Sequence, residues 1–130
     1  MEEVGSLIAE AAADEALMPF SAALGAATDD LQAATQWLMR NALMKPENAG
    51  AASTPYLYLL ALVAMGQMWL RMARAAQRAL REGRGNAEFY RNKLITADYF
   101  FRYVIIETGT HRKRVEVGAA PLMALAADAF

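Results

Sequence analysis

The stretch from Ser53 to Ala79, STPYLYLLALVAMGQMWLRMARAAQRA, holds no helix breaker stronger than Gly66 once Pro55 is passed. Ser53-Thr54-Pro55 offers a hydroxyl N-cap followed by proline at the first helical position, so a helix over roughly 55–82 is predicted. Tyr56 to Leu70 is apolar almost all round apart from Gln67, whereas the part that follows carries Arg71, Arg74, Arg78 and Arg81. A helix of this kind is buried at one end and half in water at the other. A membrane span is not expected, because hydrocarbon needs about twenty apolar residues and Arg71 closes the run early.

Working outward, the expected fold is all-α: an antiparallel helical bundle of three long helices with short terminal helices, in one domain over 1–130. Glu2 to Ala13 reads as a short amphipathic helix with Val4, Leu7, Ile8 and Ala11 on one face. Pro19 and Gly25 make residues 18–28 irregular or a restarted helix. Thr28-Asp29-Asp30 then supplies polar caps and negative charge at a helix start. Leu31, Ala34, Leu38, Ala42 and Met44 form the stripe that follows, with Trp37 beside it. Lys45-Pro46-Glu47-Asn48-Ala49-Gly50 stops that helix, since proline disfavours helical geometry in the residue before it.

Gly83-Arg84-Gly85-Asn86 ends the main helix and leads into a third long one starting at Asn86 or Ala87. Phe89, Leu94, Ala97, Phe101, Val104, Ile105, His111 and Val115 keep helical spacing along it, and Gly109 is expected to loosen it. After Gly118, Pro121 is expected to open a last short turn or helix over 122–129. Leu122, Met123, Leu125 and Phe130 would dock it on the bundle.

The composition sets limits on function. The chain has 130 residues and is 56% hydrophobic, much of it alanine, which favours helix while adding little core volume. A chain of this length can bury roughly two thirds of its unfolded surface, enough for an independent core. It contains no cysteine, so disulfides, thiolate metal sites and cysteine nucleophiles are excluded, and a cytoplasmic location is expected. The first twenty residues hold five acids and no base, the reverse of a signal or transit peptide. Residues 1–65 carry eight acids and two bases, while 66–130 carry six acids and eleven bases. Acidic early helices are therefore expected to lie beside basic later ones.

No residue pattern supports chemistry. His111 is the only histidine and reads as a surface or interface imidazole, not a metal ligand. Ser6, Ser21 and Ser53 lack a nucleophile-elbow context. Gly83-Arg84-Gly85 lacks the strand and third glycine of a dinucleotide fingerprint. Glu88, Asp98, Glu107 and Glu116 scatter around one helix, without a Glu-x-x-His pair. Catalytic, cofactor-binding and metal residues are therefore all expected to be absent. The candidate interaction surface is Arg71, Arg74, Arg78 and Arg81, read first as a solvated or intra-bundle ion-pairing stripe and second as a site for an acidic partner or phosphate. Nucleic acid is not expected as a partner, since the pI of about 5.8 is acidic.

Thr54-Pro55-Tyr56-Leu57-Tyr58-Leu59, Gly66-Gln67-Met68-Trp69-Leu70, and Phe89-Tyr90-Arg91-Asn92-Lys93-Leu94-Ile95-Thr96-Ala97-Asp98-Tyr99-Phe100 together resemble the helical C-terminal domain of bacterial acyl-CoA dehydrogenases. The similar branch includes the 3-methylmercaptopropionyl-CoA dehydrogenases. The resemblance extends from Trp37-Leu38 through Glu107-Thr108 to Gly118-Ala119-Ala120 and Leu125. It implies a parent flavoprotein of fatty acid metabolism that uses FAD and a glutamate base to remove two hydrogens from an acyl-CoA. Those parts would sit upstream, and Glu107 matches no catalytic-glutamate motif. The implied partners are the dehydrogenase core domains and a second copy in a homo-oligomer. Two alternatives are a stand-alone helical interaction or dimerisation module, whose surface would use Met65, Met68, Met72, Trp69 and Phe100, and an acyl- or CoA-binding bundle.

Overall fold

The computed structural model describes residues 2–129 and is all-α, with no strand among them. Its helices are α1 (Glu2–Ala12), α2 (Met18–Asn41), α3 (Pro46–Arg81), α4 (Ala87–Tyr99) and α5 (Thr108–Val117). A π-helical turn over Phe100–Val104 and a 3₁₀ turn over Ile105–Glu107 join α4 to α5 without a loop. The expected bundle is therefore present, with α3 as the helix against which all the others pack.

Two helix starts differ from expectation. α3 begins at Pro46, nine residues before Pro55, and so has 36 residues and is about 54 Å long. Both prolines suit a first helical position, and it is Lys45 that has the extended backbone expected before one (φ −136°, ψ 86°). Pro55 lies inside the helix, where it offers no N–H to the carbonyl of Ala51. Ser53 caps nothing, and its hydroxyl donates back to the Gly50 carbonyl at 2.8 Å. Likewise α2 starts at Met18 with Pro19 in its first turn and runs straight through Gly25 and Thr28. Thr28 is buried with its hydroxyl on the Leu24 carbonyl at 2.8 Å, so no helix starts there.

α4 opens as expected: the Asn86 side chain accepts from the backbone N–H of Glu88 and Phe89 at 2.9 and 3.3 Å. The loosening lies before Gly109, in the π turn. That turn lets two consecutive phenylalanines face inward, Phe101 stacked on Phe20 at 5.0 Å and Phe100 on Trp69 at 6.1 Å. Gly109 belongs to the regular first turn of α5. Phe89, expected on the inner face, is exposed beneath Lys93.

The core runs along α3 through Leu59, Val63, Leu70 and Ala73, facing Leu24, Ala27 and Leu31 of α2 and Ala97, Phe100, Phe101, Ile105 and Val115 beyond. At Gly66 the helices meet so closely that a Cβ there would sit 2.8 Å from Ile105 Cδ1 and 2.9 Å from Leu24 Cδ1. Gly66 is thus a crossing point, not a weak spot. Across the bundle, Thr35 and Tyr56 share a hydrogen bond at 2.9 Å, and Asp30 accepts from Thr108 at 2.9 Å and pairs with Arg112 at 3.2 Å. Asp30 therefore ties α2 to α5, where the sequence suggested a helix-start charge.

Asn48 joins three segments, donating to the Asn41 carbonyl and accepting from the Ala119 N–H at 2.9 Å. Gly118 makes this possible with φ 71° and ψ −168°, a conformation open essentially to glycine alone. Beyond it the chain forms turns and no helix, and Leu122, Met123 and Leu125 are exposed instead of docked. Phe130, the fourth residue expected there, lies outside the described residues. By length and composition α3 could cross a membrane, yet its inner face is occupied by the other four helices.

Candidate functional site

The four arginines of the row lie along the seam between α3 and α1. Arg71 pairs with Glu3, Arg74 with Glu10 at 2.7 Å, and Arg81 with Asp14 at 2.8 Å. Both helices run the same way along this seam, so residue order matches residue order. Arg78 turns instead to Glu82, the residue just past the end of its own helix, at 2.9 Å. Beneath the charges, Leu7, Ala11 and Leu17 are buried and fix α1 and the following turn to the core. The acidic first helix and the arginine row thus form one charge-matched seam.

The electrostatics follow from these partners. A hydrogen bond from Ser6, then the Arg74 guanidinium, holds the Glu10 carboxyl below its ordinary range. Arg78 does the same for Glu82, while Glu82 raises Arg78. All these pairs are open to water, where ion pairs contribute little individually.

An open cleft of about 1050 Å³ follows the same seam. Its walls carry Glu10, Asp14, Glu15 and Glu82 as well as the four arginines. A pyrophosphate entering it would have to displace carboxylates already bound to the guanidiniums and then lie beside them. The cleft is thus lined by both signs of charge, with guanidiniums that already face carboxylates.

His111 is buried, where a surface or interface imidazole was expected. Its ring stacks on Tyr58 at 5.3 Å, bringing α5 onto α3, and its Nε2 lies 3.9 Å from Glu107. It behaves as an aromatic packing residue. Glu107 itself is exposed. Among the described residues no three His, Asp or Glu side chains are grouped so as to hold a metal ion.

The outer face of α3 is different in kind. Leu57, Ala64, Met68 and Met72 are exposed and Ala61 half-buried, at spacings of seven, four and four from Leu57 onward, with Ala61 between the first two. That spacing keeps them in a single stripe, with Leu60 and Met65 at its borders. Two of the five residues expected on such a surface are not there, because Phe100 is buried and Trp69 is half-buried between Phe100 and Lys93. A second apolar patch on the outside of α4 and the turn after it contains Ile95, Tyr99, Tyr103 and Ile106, with the two tyrosine rings stacked at 5.2 Å.

This is an all-helical domain with internally matched charges and an apolar outer face. Residues 1–126 match the family model described as acetyl-CoA dehydrogenase C-terminal like, and the chain belongs to that family. It is also 36% identical, over 78 residues, to 3-methylmercaptopropionyl-CoA dehydrogenase of Ruegeria pomeroyi. The match covers 60% of this chain and 13% of that relative, so the chain corresponds to a small part of the relative's length.

Proposed function

We propose that the chain is the C-terminal accessory module of an FAD-dependent acyl-CoA dehydrogenase, serving packing and dimer contact and supplying no catalytic group. In this reading the flavin and the base that takes the substrate's α-proton belong to the upstream core domains, in a cytoplasmic enzyme. The observation that carries the reading is the exposed apolar face of α3 in a chain that belongs to the family of these C-terminal domains. Contiguous apolar surface of this kind on a small domain marks a docking site.

The purified chain is expected to show no flavin absorbance and no dehydrogenation of acyl-CoA with an artificial electron acceptor. It is expected to co-elute with a family dehydrogenase core expressed as a separate chain. Turnover or tightly bound flavin in the chain alone would contradict the reading. The α3 face also supports a second reading, a free-standing helical dimerisation module, which would dimerise yet ignore the core. The CoA-binding alternative loses support from the arginine row, whose guanidiniums already face carboxylates. Calorimetry with CoA is expected to give no binding heat, and Arg74→Glu is expected to change nothing.

A further inference from the structure

We propose that the end of the bundle formed by the α2–α3 connection and the segment after α5 binds anionic phospholipid surfaces. This goes beyond the accessory role proposed above and uses a surface other than the outer face of α3. The two segments are distant in sequence, and Asn48 holds them together, donating to the Asn41 carbonyl at 3.1 Å and accepting from the Ala119 N–H at 2.9 Å. Six large apolar side chains stand out from this end, Met39, Leu43 and Met44 on one segment and Leu122, Met123 and Leu125 on the other. Leu43 and Met44, at 84% and 86%, are the most exposed large apolar residues among those described. The second group is presented by a formed turn: the N–H groups of Leu122 and Met123 both donate to the Ala119 carbonyl at 3.0 Å, and Asn48 fixes its root.

Unpaired positive charge gathers at the same end. Along the α1–α3 seam the arginines face carboxylates, and so does Arg112 of α5. Arg40, Lys45, Lys113 and Arg114 are exposed, and none of them forms an ion pair among the described residues. Residues 37–48 and 112–129 together carry five bases and three acids in a chain of net charge −1, and one of those acids, Glu116, is already paired with Arg112. The bundle is thus polarised, with its positive end also its most apolar one. A negatively charged surface attracts that end first.

Flexible leucine and methionine side chains set among free cations match a fluid anionic layer. The apolar groups enter the acyl boundary, while the long lysine and arginine stems let their charges stay at the phosphates. Each cation brought near such a surface raises affinity by about fivefold. Irregular backbone does not enter hydrocarbon, so the contact stays at headgroup depth. A protein partner is matched less well, because no exposed tryptophan or tyrosine, the usual anchors of protein interfaces, occurs among the described residues of these two segments.

The unmodified chain is expected to float with phosphatidylcholine vesicles containing about 30% phosphatidylserine, and to bind pure phosphatidylcholine vesicles roughly tenfold more weakly or worse. The pair Leu43→Glu and Met44→Glu is expected to abolish flotation. The pair Lys113→Glu and Arg114→Glu is expected to weaken it by roughly tenfold or more. Helical circular dichroism stays unchanged in both, since all four side chains are exposed. Met68→Glu, on the outer face of α3, is expected to float as the unmodified chain does. An unmodified chain that ignores the anionic vesicles would overturn the proposal. So would flotation that survives the Leu43 and Met44 changes or is lost with Met68→Glu, because the contact would then lie on another face. If the Leu43 and Met44 changes instead abolish co-elution with a dehydrogenase core while the unmodified chain does not float, a protein covers this end and the lipid reading is refuted. The accessory role survives each of these failures, because co-elution of the unmodified chain with the core tests it separately.

Discussion

The two sides of α3 are almost equally apolar in sequence and opposite in structure. Leu59, Val63, Gly66, Leu70 and Ala73 turn inward and are buried by α2, α4, α5 and the turns between them, whereas Leu57, Ala64, Met68 and Met72 turn outward into water. Composition therefore does not separate a residue that holds the fold together from one that waits for a partner. What separates them is shape. The inner face carries a glycine where helices nearly touch and branched side chains where they interlock, while the outer face carries unbranched methionine around small alanines.

That contrast is sharpest for paired substitutions on the same helix. Leu70→Ala is expected to cost about 2–5 kcal/mol in urea unfolding, because Leu70 is fully buried and its loss leaves a cavity. Met68→Ala, two residues away, is expected to change the stability of the monomer by less than about 0.5 kcal/mol. Equal losses at the two positions would erase the distinction.

Next in size is Gly118→Ala, expected to cost about 1–3 kcal/mol through backbone strain. The added methyl would also press on Asn48 Oδ1 at 3.0 Å and on the Trp37 ring at 3.2 Å, loosening the link between α5 and the α2–α3 connection. Thermal melts and exchange of the Ala119 amide report it. Gly66→Ala sets two effects against each other. Overpacking costs roughly 1–3 kcal/mol and alanine's helix preference returns about 1 kcal/mol, so a net loss of about 1 kcal/mol is expected. The sign decides whether the crossing is as tight as its geometry implies.

The smallest effect belongs to the charged seam. Glu10 has its carboxyl lowered from the ordinary 4.5 by Ser6 and then Arg74, so its contribution is complete above that value and fades as pH falls through the lowered one. The protection of α1 amides, relative to their intrinsic exchange rates, is therefore expected to fall below about pH 4.5 and in high salt, while the inner face of α3 stays protected. Glu10→Gln should remove part of the pH dependence. An α1 indifferent to acid and salt would mean that Leu7, Ala11 and Leu17 hold it alone.

How far the fold could be read varied with how local its causes were. The α4 start was legible because Asn86 caps it through its own neighbours, and the charge-matched seam was legible because whole segments differ in sign. The starts of α2 and α3 were not, because Pro19, Pro46 and Pro55 all satisfy the same first-turn rule and only tertiary packing chooses among them. The burial of His111 depends on Tyr58, fifty-three residues away, and the inward turn of both Phe100 and Phe101 depends on a π turn with no clear local signal. The outer face of α3 was the hardest part: methionines and a tryptophan marked the region, but Phe100 is buried and Trp69 is half-buried against it.

Oxidation footprinting by mass spectrometry, on the chain concentrated and then diluted, tests the two-sided reading of α3 most directly. Met68 and Met72 are expected to oxidise slowly when concentrated and quickly when dilute, while Met39, Met44 and Met123, exposed elsewhere, react at one rate throughout. Equal rates for Met68 at both concentrations would contradict the account, because the outer face would then be as bare in company as it is alone.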